Sequence, residues 1–114
     1  MKTFLKEVTI LCVYDYDYHK GENVLIGELL YGIVIKDETN RFEPNSRVIT
    51  SKIYSQSDFE FITSNDSCYV IDDDAKCFDL IFSEFVVMQN RLYSPSEILI
   101  LREMSRLNDE RIMH

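Results

Sequence analysis

The chain has 114 residues, 46% of them hydrophobic, with three glycines, two prolines and three cysteines. That fits one domain over 1–114 with its own apolar core, and it excludes a collagen-like, low-complexity or disulfide-stapled chain. The formal net charge is −8, and so acidic a surface repels phosphate backbones, which argues against direct nucleic-acid binding.

The N-terminal stretch MKTFLKEVTILCVY meets Glu7 too early for a signal peptide. No apolar run approaches the roughly 20 residues that span a bilayer. The expectation is a soluble, cytoplasmic protein that does not contact membranes. The segment EVTILCVYDYDYH then alternates as a strand does: Val8, Ile10, Cys12, Tyr14, Tyr16 and Tyr18 share one face, and Thr9, Leu11, Val13, Asp15, Asp17 and His19 share the other. β-branched and aromatic residues fit that pleated surface. KGEN at 20–23 is a turn, with Gly21 free to take a positive φ. VLIGELLYGIVIKD at 24–37 is a long apolar strand, and Gly27 and Gly32 within it mark bulges or bends. A loop at 38–46 carries Pro44 and Asn45. RVITSKIYSQ at 47–56 is a third strand, and DFEFITS and SCYVIDD flank a hairpin turn at Asn65-Asp66.

The segment from Asp72 changes character. Asp72, Asp73 and Asp74 suit a helix N-terminus, and Cys77, Leu80, Ile81, Phe85 and Met88 recur at intervals of about three and four. This spacing predicts a helix over 75–90, although Phe78, Ile81, Phe82, Val86 and Val87 also permit a strand. SPSE at 94–97 is a capping box, with Ser94 as N-cap, Pro95 at the first helical position and Glu97 reaching back, so a helix is predicted from about 95 to 111. The fold class that follows is α+β. A bent antiparallel sheet of about five strands, with barrel-like closure left open, precedes one or two C-terminal helices.

The chemistry-bearing residues are few. Asp15, Asp17 and His19 make a row of metal-ligand types, but strand neighbours about 6.8 Å apart do not chelate one ion without help from another strand. IDDDAKCFD matches half of a calcium loop and lacks its glycine and closing glutamate. No glycine-rich phosphate cradle and no nucleophile elbow is present. Neither metal nor cofactor is expected, and a metal-dependent enzyme is the least favoured reading. Cys12, Cys68 and Cys77 lack metal-site spacing and read as small hydrophobes of the core.

Two features favour a protein partner. Tyrosine offers rigid contact area with a polar tip, and Tyr14, Tyr16 and Tyr18 lie on one strand face. Acidity is concentrated too: Asp58, Glu60, Asp66, Asp72, Asp73, Asp74, Asp79 and Glu84 face only Lys76 between Ser57 and Gln89, a net −7 in that block against −1 elsewhere. Such a block attracts a basic protein surface. The candidate contact residues are Tyr14, Asp15, Tyr16, Asp17, Tyr18, Asp72, Asp73 and Asp74.

Gly32, Val34 and Asp37, then Arg41-Phe42, Val48, Thr50-Ser51, Ile53, Thr63, Asn65 and Tyr69 form a pattern over residues 32–71. This pattern resembles small orphan β-proteins encoded by prophages and mobile gene cassettes. The resemblance implies a compact β-fold and an accessory role in host–virus or inter-bacterial conflict, and it brings no catalytic residue. The functional expectation is a small acidic protein that binds and inhibits another macromolecule, of the anti-CRISPR, anti-defence or immunity type. The alternative is a homo-oligomeric structural or assembly protein, a homodimer included, in which residues 8–18 form an edge strand that pairs with a copy of itself.

Overall fold

A computed structural model describes residues 1–112, with side chains to Asp109. Six strands precede two helices: β1 Lys2–Asp17, β2 Glu22–Asp37, β3 Arg47–Ser57, β4 Glu60–Thr63, β5 Cys68–Ile71, β6 Lys76–Ile81, α1 Phe82–Arg91 and α2 Pro95–Ile112. The α+β class and the C-terminal helices are as expected.

Hairpin connections make β1–β2, β2–β3, β3–β4 and β4–β5 antiparallel. β5 then lies parallel to the start of β1, with Leu5 opposite Ile71, which closes β1 to β5 into a ring of five strands. β6 continues along β1, also parallel, from Thr9 opposite Lys76 to Tyr14 opposite Ile81. The sheet is therefore mixed and has a sixth strand, where the sequence pattern predicts an antiparallel meander of about five. Parallel neighbours are joined without a tight turn, so no turn residue announces them. β1 also has partners on both edges from Thr9 to Tyr14, β2 on one side and β6 on the other. Self-pairing through residues 8–18 as a free edge is thus closed over that span.

A bulge in β1 explains the break between β5 and β6. Glu7 sits at φ 52, and the register with β2 slips between Lys6 and Thr9. One extra residue swaps the faces of everything beyond it, so Leu5 and Val8 both point into the ring. Both crowd Gly32, where a Cβ would come within 3.2 Å of each. Residues 72–75 cross the gap between β5 and β6 beside this bulge.

The sheet buries both faces over part of its length. Inside the ring Leu5, Ile10, Cys12, Leu30, Val34, Val48, Phe61, Tyr69 and Ile71 pack together. On the opposite face Leu11, Tyr31 and Leu80 are covered by Met88 of α1 and Ile98 of α2. The helix predicted over 75–90 is corrected by this arrangement: 76–81 is strand and only 82–91 is helix. Phe78 and Leu80 pack toward the helices, while Cys77, Asp79 and Ile81 point away and are exposed. This period-two pattern competes with the helical one, and the vacant edge of β1 beyond Leu5 decides between them.

The capping box forms as expected. Glu97 N donates to Ser94 Oγ at 3.2 Å and Ser94 N donates to Glu97 Oε1 at 2.9 Å. Arg47 of β3 also bonds Glu97 and the carbonyl of Leu92, which pins the start of α2 to the sheet. α1 ends at Leu92 in the left-handed region, φ 53 and ψ 41, a conformation that a branched side chain tolerates poorly. Leu92→Gly is expected to raise stability by about 0.5–1 kcal/mol. Urea unfolding followed by circular dichroism checks this, and an unchanged or lower midpoint would mean that Leu92 contributes packing instead.

Candidate functional site

The ring occupies only part of the sheet's length. Beyond it β2, β1 and β6 continue as a three-stranded sheet whose ring-side face is uncovered. Register decides which side chains meet there. Cys12 lies opposite Glu28 on one side and Asp79 on the other, so a row Glu28–Cys12–Asp79 crosses the three strands. The next row is Leu25–Tyr14–Ile81, and beyond it Tyr16 lies opposite Asn23. Ile26 is the extra residue of a bulge in β2 that puts Leu25 rather than Ile26 beside Tyr14.

Leu25, Ile81 and Tyr16 are about half exposed, at 49%, 48% and 47%, and Tyr18 is 88% exposed. The rings of Tyr16 and Tyr18 meet edge to face, centroids 4.8 Å apart and planes at 75°. The face therefore offers rings and aliphatic side chains beside two carboxylates, Glu28 and Asp79. Asp79 is the main cause of an upward shift of the Tyr14 phenol, with burial second, so Tyr14 stays a neutral donor at physiological pH. Burial, and then the neighbouring Cys77 thiol, push Cys12 up to about 12, which keeps it protonated and unreactive. Of the three cysteines expected in the core, Cys12 is buried, Cys68 is partly covered and Cys77 is exposed on this face.

The residues singled out from sequence are divided by this geometry. Tyr14, Tyr16 and Tyr18 stand together on the open face. Asp15 and Asp17, one residue out of phase, belong to the other side of β1. Asp15 Oδ1 accepts from Tyr16 N at 2.9 Å, and Asp17 Oδ1 accepts from His19 N at 2.9 Å and Lys20 N at 3.2 Å. Asp17 thus builds the turn that reverses the chain into β2. His19 is exposed in that turn, and among the described residues no three His, Cys, Asp or Glu side chains converge as a metal cage.

Asp72, Asp73 and Asp74 lie at the opposite end of β1, grouped around a hollow with Lys6, Glu7 and Val8. Some nine residues of strand at about 3.3 Å each separate them from Tyr16, roughly 25–30 Å. The two halves of the proposed contact set do not form one patch. The linear acidic block disperses likewise. Glu60 pairs with Lys2 and Glu84 with Arg102, Asp58 and Asp66 sit in turns at positive φ, and Asp79 joins the tyrosine face.

Leu25, Glu28, Asp79 and Ile81 are the members of the face that composition and spacing did not single out. Their placement depends on pairing register, and the only local sign of it was the alternation of 77, 79 and 81 against 78 and 80. No described helix is long and apolar enough to cross a membrane. Comparison with family models, curated proteins and solved structures finds no match to this chain.

Proposed function

We propose that the protein is a small acidic inhibitor that binds a basic surface of another protein through the open face of β2, β1 and β6. The observation that carries this reading is the row Leu25–Tyr14–Ile81, flanked by Glu28 and Asp79 and extended by Tyr16 and Tyr18. Half-exposed apolar area beside rigid tyrosines is the composition of an interface core, and carboxylates at its margin select a cationic partner. A formal charge of −8 speeds the encounter with such a partner. Asp72, Asp73 and Asp74, far from the tyrosines, steer rather than contact. The resemblance to orphan proteins of prophages and mobile cassettes favours a target in host defence or inter-bacterial conflict, as for anti-CRISPR or immunity proteins.

The test has two steps. Tagged protein expressed in its own host should retain one stoichiometric foreign protein that is lost as salt rises. Tyr16→Ala/Tyr18→Ala should then weaken that complex at least about tenfold through faster dissociation. Asp72→Lys/Asp73→Lys/Asp74→Lys should slow association chiefly at low salt. A double tyrosine variant that binds with unchanged affinity removes this face as the site.

A further inference from the structure

A second concave site lies on the helix-covered side of the sheet, where the β1 bulge, β2 and the start of α2 meet. It is a hollow of about 300 Å³, at the small end of ligand sites. Thr9 and Tyr31, direct cross-strand neighbours, form its floor together with Ile33. Glu7 of β1 lines it on one side of β2, and Arg47 of β3, opposite Ile33, lines it on the other. The first residues of α2 make the remaining wall.

Polar groups reach this hollow with bonds unmade. Tyr31 is only 4% exposed, yet its hydroxyl bonds to none of the described residues and is not sealed off, so the surface it keeps opens here. Burial pushes its phenol up, which keeps it a neutral donor. Of the charges acting on that phenol, Arg47 and Glu7 line the hollow, and Glu97 is bonded to Arg47. Arg47 uses only Nη1 to hold Leu92 and Glu97, so Nε and Nη2 remain available. At the start of α2 the capping box occupies Ser94 N and Glu97 N, Ile98 N bonds the Ser94 carbonyl, and Pro95 has no N–H. The N–H of Ser96 is what remains, with the helix dipole behind it.

We infer that the hollow binds a free α-amino acid with a small aliphatic side chain. Charge selects the zwitterion. One guanidinium, Arg47, stands here against two carboxylates, Glu7 and Glu97, so a bare anion is opposed. An amino acid's carboxylate accepts from Ser96 N–H, Arg47 and the Tyr31 hydroxyl. Its ammonium donates to Glu7. Glu7 and Arg47 belong to strands two apart, roughly 9–10 Å across the sheet, and both line the hollow, so one small zwitterion bridges them. Ile33 and Pro95 supply apolar wall for a short side chain. The tyrosine face lies on the other side of the sheet, so this inference stands apart from the inhibitor reading.

Titration of isotope-labelled whole chain with alanine and with valine, followed by amide NMR, tests it. Amides of Glu7, Thr9, Tyr31, Arg47 and Ser96 should shift saturably, with a dissociation constant of about 0.1–1 mM for a ligand of so few atoms. Acetate and methylammonium, each carrying one half of the zwitterion, should bind at least about tenfold more weakly. Tyr31→Phe and Glu7→Gln should each weaken alanine binding at least about tenfold. Neither removes a bond within the protein, so the urea midpoint should stay unchanged in both. No saturable shift up to about 50 mM of either amino acid overturns the inference. Acetate binding as tightly as alanine overturns it too, by making the hollow an anion site only. Variants that bind like the wild type, or shifts clustered on other residues, remove the hollow as the site.

Discussion

Asp37→Ala should destabilise the protein by about 3 kcal/mol, the loss expected when several hydrogen bonds to one charged group go at once. Asp37 ends β2, and its carboxylate organises both the loop to β3 and the start of β1. Oδ1 accepts from Thr3 Oγ1 at 2.8 Å, Thr39 N at 2.9 Å and Thr39 Oγ1 at 2.6 Å. Oδ2 accepts from Arg41 N at 2.7 Å and Phe42 N at 2.8 Å. Thr3 is wholly buried, so removing its acceptor strands a hydroxyl inside the protein. Asp37→Asn keeps the shape but turns an NH₂ toward donors, and it should recover little. Equilibrium unfolding in urea measures both variants. A loss under about 1 kcal/mol for Asp37→Ala would mean that water replaces the carboxylate.

The same carboxylate makes stability depend on pH. Burial acts to raise its pKa, but hydrogen bonds from Thr39, Thr3 and Phe42 outweigh burial and hold it well below the ordinary carboxylate range. A group with a depressed folded-state pKa stabilises the fold at pH above its unfolded value, about 3.9. That contribution drains away as pH falls below this value toward the folded one. Glu84 and Glu97 shift in the same direction, Glu84 chiefly through Arg102 and Glu97 chiefly through the Ser94 backbone. The wild type should therefore lose stability on acidification below about pH 4 more steeply than Asp37→Ala does, and the difference between the two curves isolates Asp37.

What the sequence disclosed, and what it hid, follows the range of each interaction. The capping box at Ser94 and Glu97 is local, and its helix runs within a residue or so of its expected bounds. The alternation in β1 is also local, and it correctly grouped Tyr14, Tyr16 and Tyr18 and set Asp15 and Asp17 on the other side. Glu7 escaped notice because nothing in its type demands a left-handed backbone. The bulge there packs against Gly32, where the missing Cβ leaves room for Leu5 and Val8 to close in from the neighbouring strand. Residues 76–81 fit two periods at once, and a vacant strand edge distant in sequence decided for β. The open face was half legible for the same reason. Leu25, Glu28, Asp79 and Ile81 reach it only through the registers of two different strand pairs, one of them parallel. The acidic block misled by proximity in sequence: Asp72 and Asp79 are seven residues apart, yet one lies by the β1 bulge and the other beside Tyr14.

Arg102→Ala should cost about 2 kcal/mol and release α2 from the body. Arg102 is the main polar clamp between three elements. Its Nε donates to Glu84 Oε2 at 2.6 Å and its Nη2 to Glu84 Oε1 at 2.8 Å, a two-pronged bond from α2 to α1. Nη2 also donates to the carbonyl of Asp79 in β6 at 2.8 Å, and the guanidinium lies 5.0 Å from the centroid of the Phe78 ring. Glu84 is only 22% exposed while Arg102 is 38% exposed, so the pair is worth more than a surface ion pair and less than a buried one. Arg102→Lys should restore less than half the loss, since one ammonium cannot hold both carboxylate oxygens and the carbonyl together. Glu103→Ala, which breaks an exposed pair within α2, should change stability by no more than about 0.5 kcal/mol. Hydrogen exchange adds a spatial readout: in Arg102→Ala, amides of α2 and of β6 should exchange faster together, while those of β3 to β5 stay protected. β6 is included because the Asp79 carbonyl is a bonding group of the strand that supplies Asp79 and Ile81 to the tyrosine face. If α2 alone loosens, Arg102 anchors the helix without supporting that face. If both loosen, one guanidinium couples α2 to the strand that supplies Asp79 and Ile81 to the tyrosine face.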